Sequence, residues 1–536
     1  MTTHEPEPTG TRDTRRLAAL VAAGIAVIVL AAGLRWLALG RGLWLDEYLS
    51  FEACCRADGP VRLRDLAAQF LPYHAGLALW ARIDAGVGFV RLPSLAMGVV
   101  TVATTMVGLW RVAPRAAIMA GALLACSPLL LRYGLEIRGY GLVVAAAAVA
   151  CAVVVRDGAL ARRTSRRTLA VAVAVAPSTH PTAWMLVPAL VVADAIAHRE
   201  RRTNVMAWCR GLAVPVVAAG CVTFGSAVLH RGALAQWWMP APSLAVIGGV
   251  LRVTAGLDAI AWPFATPAMA VASALGLASL AGLSWPAVDA DARRFRLGLA
   301  LVAAGVCYVA GLVVVSLIFP VLWPRTVIAA LVPTLGGLAV LVSSSRSRVV
   351  RVGGALAIGM VCCGWAAHWT REGAWRDVEP WREAGRRLEQ AWRPGDIVVF
   401  YPDYVAGAAL HYAPRIDRAA VASIRISDDA EAVAAKVAAA SDRSGAAGAR
   451  LLAMVRADFT VRAQERPLDH ILAEAARRHG ERDVYLVVLT ASDVEVDPGL
   501  AAMRTSIEVR AQAALGRPTR HQPVSALLDE TVFAHR

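Results

Sequence analysis

Apolar residues fill long runs of this chain, and polar residues gather in short stretches between them. Runs at 17–39, 88–110, 115–131, 140–155, 168–195, 207–229, 257–283, 297–319, 326–342 and 350–368 mostly approach or exceed the roughly 20 residues that a bilayer-spanning helix needs. Basic residues mark the connecting loops: Arg12, Arg15 and Arg16 before the first run, then Arg111 and Arg115, Arg156 to Arg167, His198 to Arg202, Asp289 to Arg296 and Arg346 to Arg351. Such loops are retained in the cytoplasm, so the N-terminus is expected there. The run at 168–195 has basic loops at both ends and must therefore cross an even number of times or re-enter. Pro177-Ser178-Thr179-His180-Pro181 marks the reversal, because proline ends or kinks a helix. About eleven crossings result. The loops at 40–87, 132–139, 230–256 and 320–325, with everything after 369, then lie outside. The first run is too long for a signal-peptide core and lacks a small-residue cleavage site, so it reads as a retained helix.

From about 370 the pattern changes to charged, alternating elements. A helix is expected near 378–392, then a turn at Arg393-Pro394-Gly395-Asp396 and a strand from Ile397 to Tyr401. Strand-like runs at 451–455 and 484–489, separated by alanine-rich helical stretches, complete a small α/β layer fold. The last thirty or so residues are rich in arginine, proline and polar types and are expected to be poorly ordered. The expected architecture is thus a polytopic α-helical transmembrane domain at 1–369 followed by an extracytoplasmic soluble α/β domain at 370–536.

Composition agrees. At 57% hydrophobic and 18% charged residues, a chain of this size has too little polar surface to cover a soluble globule. The net charge of +15 does not indicate nucleic acid, because the arginines sit in loops between spans and no basic stripe is interleaved with stacking aromatics. Lys436 is the only lysine, an arginine bias associated with GC-rich bacterial genomes and hence with a bacterial plasma membrane. The nine cysteines are scattered, mostly within apolar runs, and show neither zinc-ligand spacing nor a disulfide framework.

The candidate chemistry lies in the expected outward loops. Asp46 and Glu47, within Leu43-Trp44-Leu45-Asp46-Glu47-Tyr48, directly follow the first span. Two adjacent carboxylates at an apolar boundary are costly unless paired, hydrated or used, and burial moves such a group towards the range of a general base. The plainer alternative is a pair of acids ending a helix at the headgroups. Arg132 and Arg138 bracket one outward turn, and Arg325 ends another helix. Guanidinium forks suit phosphate oxygens, although each could equally snorkel to the headgroups. Glu136 can pair with one of these arginines. His74 and His180 could donate to a phosphate or bind a metal, or be structural. Trp237 and Tyr133 could stack on a sugar or belong to an interfacial aromatic belt.

Several of these segments recur together in one order: Trp44-Leu45-Asp46-Glu47; Pro72-Tyr73-His74-Ala75-Gly76-Leu77; Arg91-Leu92-Pro93-Ser94; Ser127-Pro128; and Arg132-Tyr133-Gly134-Leu135-Glu136-Ile137-Arg138-Gly139-Tyr140. In this the chain resembles the bacterial branch of the protein O-mannosyltransferase superfamily, GT-C glycosyltransferases of the family 39 type, over roughly residues 17–370. The resemblance implies transfer of a sugar, with mannose favoured, from a polyprenyl-phosphate donor to a hydroxyl of a glycan, lipid or protein acceptor at the outer leaflet, with inversion. Asp46 matches the acid proposed as base in that family, and Glu47 the second acid, which would orient the acceptor or help bind a divalent cation. The chain departs from the family pattern at His74-Ala75-Gly76, where His-Pro-Pro is frequent, and at Trp323-Pro324-Arg325-Thr326, where Pro-Arg-Tyr is more usual. The competing reading is a lipid-linked sugar flippase or transporter. Transporters favour ionisable residues near the midplane and duplicated halves, and neither pattern is evident here.

Overall fold

The computed structural model of the chain describes residues 9–55, 71–157, 162–198, 205–229, 239, 241–256, 290–373, 378–425, 427–444, 450–457, 466–479, 484–490, 499–515, 518–525 and 528–533. Its first part is helical: α1 (Thr9–Trp36), α2 (Leu45–Cys55), α3 (Leu71–Trp80), α4 (Val87–Trp110), α5 (Pro114–Cys126), α6 (Pro128–Tyr133), α7 (Tyr140–Asp157), α8 (Arg163–Thr179), α9 (Leu186–Ala197), α10 (Val205–Leu229), α11 (Leu244–Thr254), α12 (Ala290–Ser316), α13 (Leu331–Ser344) and α14 (Arg348–His368). Among the described residues, five helices are long and apolar enough to cross a membrane, and five shorter ones are apolar. The protein is a multi-pass membrane protein.

On α1, Leu17, Val21, Ile25 and Val29 recur every four residues and are exposed, whereas Val27, Ala31 and Leu34 are buried in the bundle core. An apolar stripe turned outward is what lipid contact requires, while small residues let helices approach on the inner side. Gly108 of α4 shows this closeness, since a Cβ there would lie 2.7 Å from that of Ala152 on α7. The expected reversal at 177–181 is present: α8 ends at Thr179, Pro181 opens a 3-10 turn through Met185, and α9 follows. The run at 115–131 is interrupted where Pro128 starts a new short helix, α6. The run at 257–283 lies outside the described residues. The stretch expected to be an outward loop at 230–256 contains an apolar helix instead. Ser243 Oγ caps α11 by accepting from the Val246 N–H at 3.1 Å, and Val246 and Val250 join the bundle core.

The second part alternates α15 (Trp381–Ala391), β1 (Ile397–Tyr401), α16 (Val405–His411), β2 (Val421–Ser423), α17 (Ala430–Ser444), β3 (Leu451–Ala457), α18 (Arg466–His479), β4 (Val484–Thr490), α19 (Gly499–Leu515), β5 (Arg520–Ser525) and β6 (Leu528–Phe533). The strands form one six-stranded sheet in the order β2-β1-β3-β4-β6-β5. β2, β1, β3 and β4 run parallel, and β6 and β5 are antiparallel additions. Among the C-terminal residues expected to be disordered, those described thus form the end of a helix and two antiparallel strands at the sheet edge. Their apolar positions, Leu528 and Val532, lie two residues either side of Glu530 in a strand whose backbone groups complete the open edge of β4, which outweighs their polar composition.

Strand residues alternate between two faces. Ile397, Val399 and Tyr401 of β1 pack with α17, α18 and α19. Val398 and Phe400 face the opposite side, against α15, α16 and also Trp44 and Leu45 at the start of α2. One face of the α/β domain is therefore closed by the segment that carries Asp46. The joint is reinforced by the Leu43 N–H, which donates to Tyr412 Oη at 2.6 Å, and by Arg382 Nη2, which donates to the Gly40 carbonyl at 2.9 Å.

Candidate active site

The site is built around the first turn of α2. Trp44 and Leu45 are buried in the α/β core, and this fixes the height and rotation of Asp46. Glu47, next in sequence, is buried at 1% exposure against Arg91 at 0%. Arg91 Nε and Nη2 donate to its two oxygens at 3.0 and 2.7 Å, and the Ile137 amide adds a third bond at 3.1 Å. The same guanidinium donates to the carbonyls of Leu39, Arg41 and Gly42 at 3.1, 2.5 and 3.1 Å. One buried ion pair thus ties together α4, the 37–44 turn, α2 and the 134–139 loop.

That loop is gripped from a second direction. Ser94 Oγ donates to the Glu136 carbonyl at 2.7 Å and is itself 2.5 Å from Tyr73 Oη. Gly139 has no room for a side chain, since a Cβ would lie 2.3 Å from Thr179 Cγ2. Arg138 is consequently delivered to Asp46: its Nη1 is 3.5 Å from Asp46 Oδ2 and donates to the Asp46 carbonyl at 3.2 Å. Arg325 arrives from the turn between α12 and α13. Thr326 Oγ1 holds that turn by accepting from the Trp323 N–H at 2.9 Å, and Tyr308 Oη donates to the Thr326 carbonyl at 3.2 Å. Arg325 Nη1 then reaches Asp46 Oδ2 at 2.9 Å, with its guanidinium 5.4 Å from the Trp44 ring centre. The side chain of Asp46 is 24% exposed, that of Arg138 16% and that of Arg325 8%, so the cluster is recessed but open.

Electrostatics follow from this packing. Burial works against the charge of Asp46, but Arg138, Arg325 and Arg456 outweigh it and hold the carboxyl below the ordinary carboxylate range. Arg456 lies on β3 and is itself paired with buried Glu379 at 2.7 Å, so the α/β domain contributes to the field at Asp46. Glu136 is the opposite case. Instead of pairing with an arginine, as its neighbours in sequence suggested, it is fully buried, and among the described residues neither of its side-chain oxygens has a hydrogen-bond partner. Burial pushes its carboxyl well above the usual range, with Glu47 adding to the effect and Arg325, Arg132 and Arg138 opposing it.

The remaining candidates divide. His180 packs against the Tyr140 ring at 5.3 Å, with Nδ1 2.7 Å from Thr182 Oγ1. It thus lies at the break between α8 and α9, beside Tyr140. Tyr133 is buried and meets the Tyr140 ring edge-on at 6.0 Å, while the Arg132 guanidinium is 5.2 Å from its centre. The Arg132 carbonyl accepts from Arg41 Nη2 at 3.5 Å. His74 is buried on α3, where its carbonyl accepts from Cys54 Sγ at 3.6 Å, and it packs with Tyr73 rather than with Asp46. Trp237 lies outside the described residues. Among the described residues no three His, Cys, Asp or Glu side chains gather as a metal site. Glu47 is engaged by Arg91 and Asp46 is flanked by guanidiniums, so this donor set does not suit a divalent cation. Sequence reasoning had placed Arg91 and Ser94 in a motif without assigning either a task. The available signal was an ionisable residue inside an apolar span, which needs a partner.

In class, then, this is a multi-pass helical membrane protein whose α/β domain closes over a recessed carboxylate–arginine cluster. No protein-family model and no curated protein matches the chain. Among solved structures it is similar to ArnT from Cupriavidus metallidurans in the apo state, at 12% identity and a TM-score of 0.48, covering 98% of this chain and 99% of that one. The same protein bound to undecaprenyl phosphate gives 12% identity and a TM-score of 0.49, covering 97% and 98%. The arabinosyltransferase EmbB from Mycobacterium smegmatis gives 16% and 0.37, covering 97% of this chain and 43% of that one. At these values the likeness carries no weight for function, which rests on the geometry of the site.

Proposed function

We propose that the chain is a membrane glycosyltransferase that moves a sugar, with mannose favoured by the motif resemblance, from a polyprenyl-phosphate donor to an acceptor hydroxyl. The location proposed is the outer face of a bacterial plasma membrane, with the N-terminus cytoplasmic and the α/β domain outside. One observation carries the reading: Asp46, Arg138 and Arg325, far apart in sequence, meet with 3.5 and 2.9 Å between the guanidiniums and Oδ2. A base beside two phosphate-type donors is the minimum equipment for displacing a sugar from a lipid phosphate.

In this reading Arg138 and Arg325 bind the donor phosphate oxygens, while the lipid tail stays among the helices. The acceptor hydroxyl gives its proton to Asp46 as its oxygen attacks the anomeric carbon from the face opposite the phosphate. The anomeric carbon–oxygen bond breaks and its electron pair goes to the phosphate, whose added negative charge the guanidiniums meet. The configuration inverts, and the proton on Asp46 passes to solvent. A low-pKa carboxylate is a modest base in isolation. A phosphate that accepts from the same two guanidiniums draws their charge away from Asp46 and raises its basicity as the donor binds. Arg91 and Glu47 position the group and do not react.

The test is sugar transfer and release from a radiolabelled polyprenyl-phosphate mannose donor by purified protein. Asp46→Asn is expected to keep the fold and lose transfer by a factor on the order of 100 or more, the scale of a general base. Equal rates in both proteins would remove Asp46 from this role, and donor translocation without transfer would favour a flippase.

A further inference from the structure

A pocket of about 380 Å³ opens between α2 and the α/β domain, with Tyr48, Glu52, His411, Arg418 and Ser423 in its lining. This volume lies in the range of small-molecule sites, roughly 300–1,000 Å³. Its wall is aromatic, since the Tyr48 and His411 ring centres are 5.9 Å apart and Phe51 meets His411 edge-on at 5.8 Å. Gly407 lets the Tyr48 ring lie directly on α16, where a Cβ would come within 2.7 Å of its Cε1 and hydroxyl.

The lining selects a chemistry. An anion is drawn to Arg418 and repelled by Glu52, and a cation meets the reverse. A neutral molecule with vicinal hydroxyls can donate to the carboxylate and accept from the guanidinium and Ser423, using both signs at once. Its C–H face can rest on the Tyr48 ring. These are the features of a sugar.

Placement settles which sugar. At 3.6 residues per turn, Tyr48 and Glu52 share one face of α2 and Asp46 lies on the opposite side, so about 10–12 Å of helix separates pocket from carboxylate. A ring held here is therefore not the one that receives the transferred sugar. We infer that this pocket is an accessory subsite that grips a distant unit of a glycan acceptor, and that the acceptor is an oligosaccharide or polysaccharide rather than a single sugar or a protein hydroxyl. This inference rests on the transferase reading above, but its test does not require transfer.

The full chain in nanodiscs is titrated calorimetrically with neutral oligosaccharides of mannose and of glucose, from monosaccharide to hexasaccharide. Affinity is expected to rise with length and to fall at least tenfold in Glu52→Gln and Arg418→Ala. Hydrogen exchange in the unaltered protein is expected to slow over 405–411 and 421–423 when the sugar is added, which tests the site without any variant. Asp46→Asn protein is expected to bind the same sugars, so failure of the transferase reading would leave this readout intact. No binding across both series, equal binding by the variants, or preference for glycerol phosphate over sugars would overturn the inference.

Discussion

Arg91→Ala is the most informative single perturbation, because it removes a structural tie without touching the proposed reacting groups. The wild-type guanidinium serves two carboxylate oxygens and three carbonyls, and both it and the Glu47 side chain are fully buried. Removing one partner of a buried ion pair leaves the other charge uncompensated and costs about 3–5 kcal/mol. The carbonyls of 39, 41 and 42 lose their donor as well, which frees the 37–44 turn that leads into α2. A shift of about 1 Å at a reacting group costs roughly 100-fold in rate. The variant is therefore expected to melt well below the wild type in detergent and, below its melting temperature, to transfer sugar about 100-fold more slowly. Pairing Arg91→Met with Glu47→Leu separates the two effects: most of the stability returns, as it does when apolar residues replace a buried pair, whereas activity stays low because α2 has lost its register. Thermal unfolding and initial transfer rates measure both quantities. If Arg91→Ala melts with the wild type and transfers normally, the latch between Arg91 and Glu47 does not position Asp46.

Other outcomes follow from the same geometry. Arg325→Ala is expected to lower kcat by about 10²–10³-fold, the scale of removing one preorganised donor from a developing anion, while Arg132→Ala, which is not in contact with Asp46, costs far less; equal losses would contradict the assignment. Asp46 is held below the ordinary carboxylate range by its arginines, so the acid limb of kcat/KM should lie below where an ordinary carboxylate titrates and move to higher pH in Arg325→Gln, as a pH series on both proteins will show. The raised pKa of Glu136 means that the folded state binds its proton more tightly than the unfolded state does. Its stabilising contribution is full below the unfolded pKa and is lost as pH rises through the folded one. Glu136→Gln should therefore match the wild-type melting temperature in acid and exceed it at alkaline pH, and a difference that grows in acid instead would refute the burial reading.

Much of the fold was legible because bilayers and sheets impose short-range patterns. Pro177 and Pro181 announced the reversal between α8 and α9, and the strands at 397–401, 451–457 and 484–490 coincide with apolar runs. Gly395, at φ +93°, sits in the turn expected at 393–396, where a left-handed backbone favours glycine. The last strands were hidden because pairing of β6 with β4 and of β5 with β6, not composition, orders them. Within the site, local reading singled out Asp46, but its contact with Arg325 spans 279 residues of sequence and leaves no local trace. The burial of Trp44 against β1 likewise depends on a domain more than three hundred residues away. Glu136 misled because adjacency to arginines in sequence says nothing of where a tightly held loop aims a side chain.

The central claim is that a donor phosphate sits between Arg138 and Arg325 with Asp46 beside it. A structure of the protein with polyprenyl phosphate bound measures this directly. The phosphate oxygens are expected within hydrogen-bond distance of both guanidiniums, next to the Asp46 carboxylate. A phosphate held elsewhere, with Arg138 and Arg325 still closed on Asp46, would contradict it.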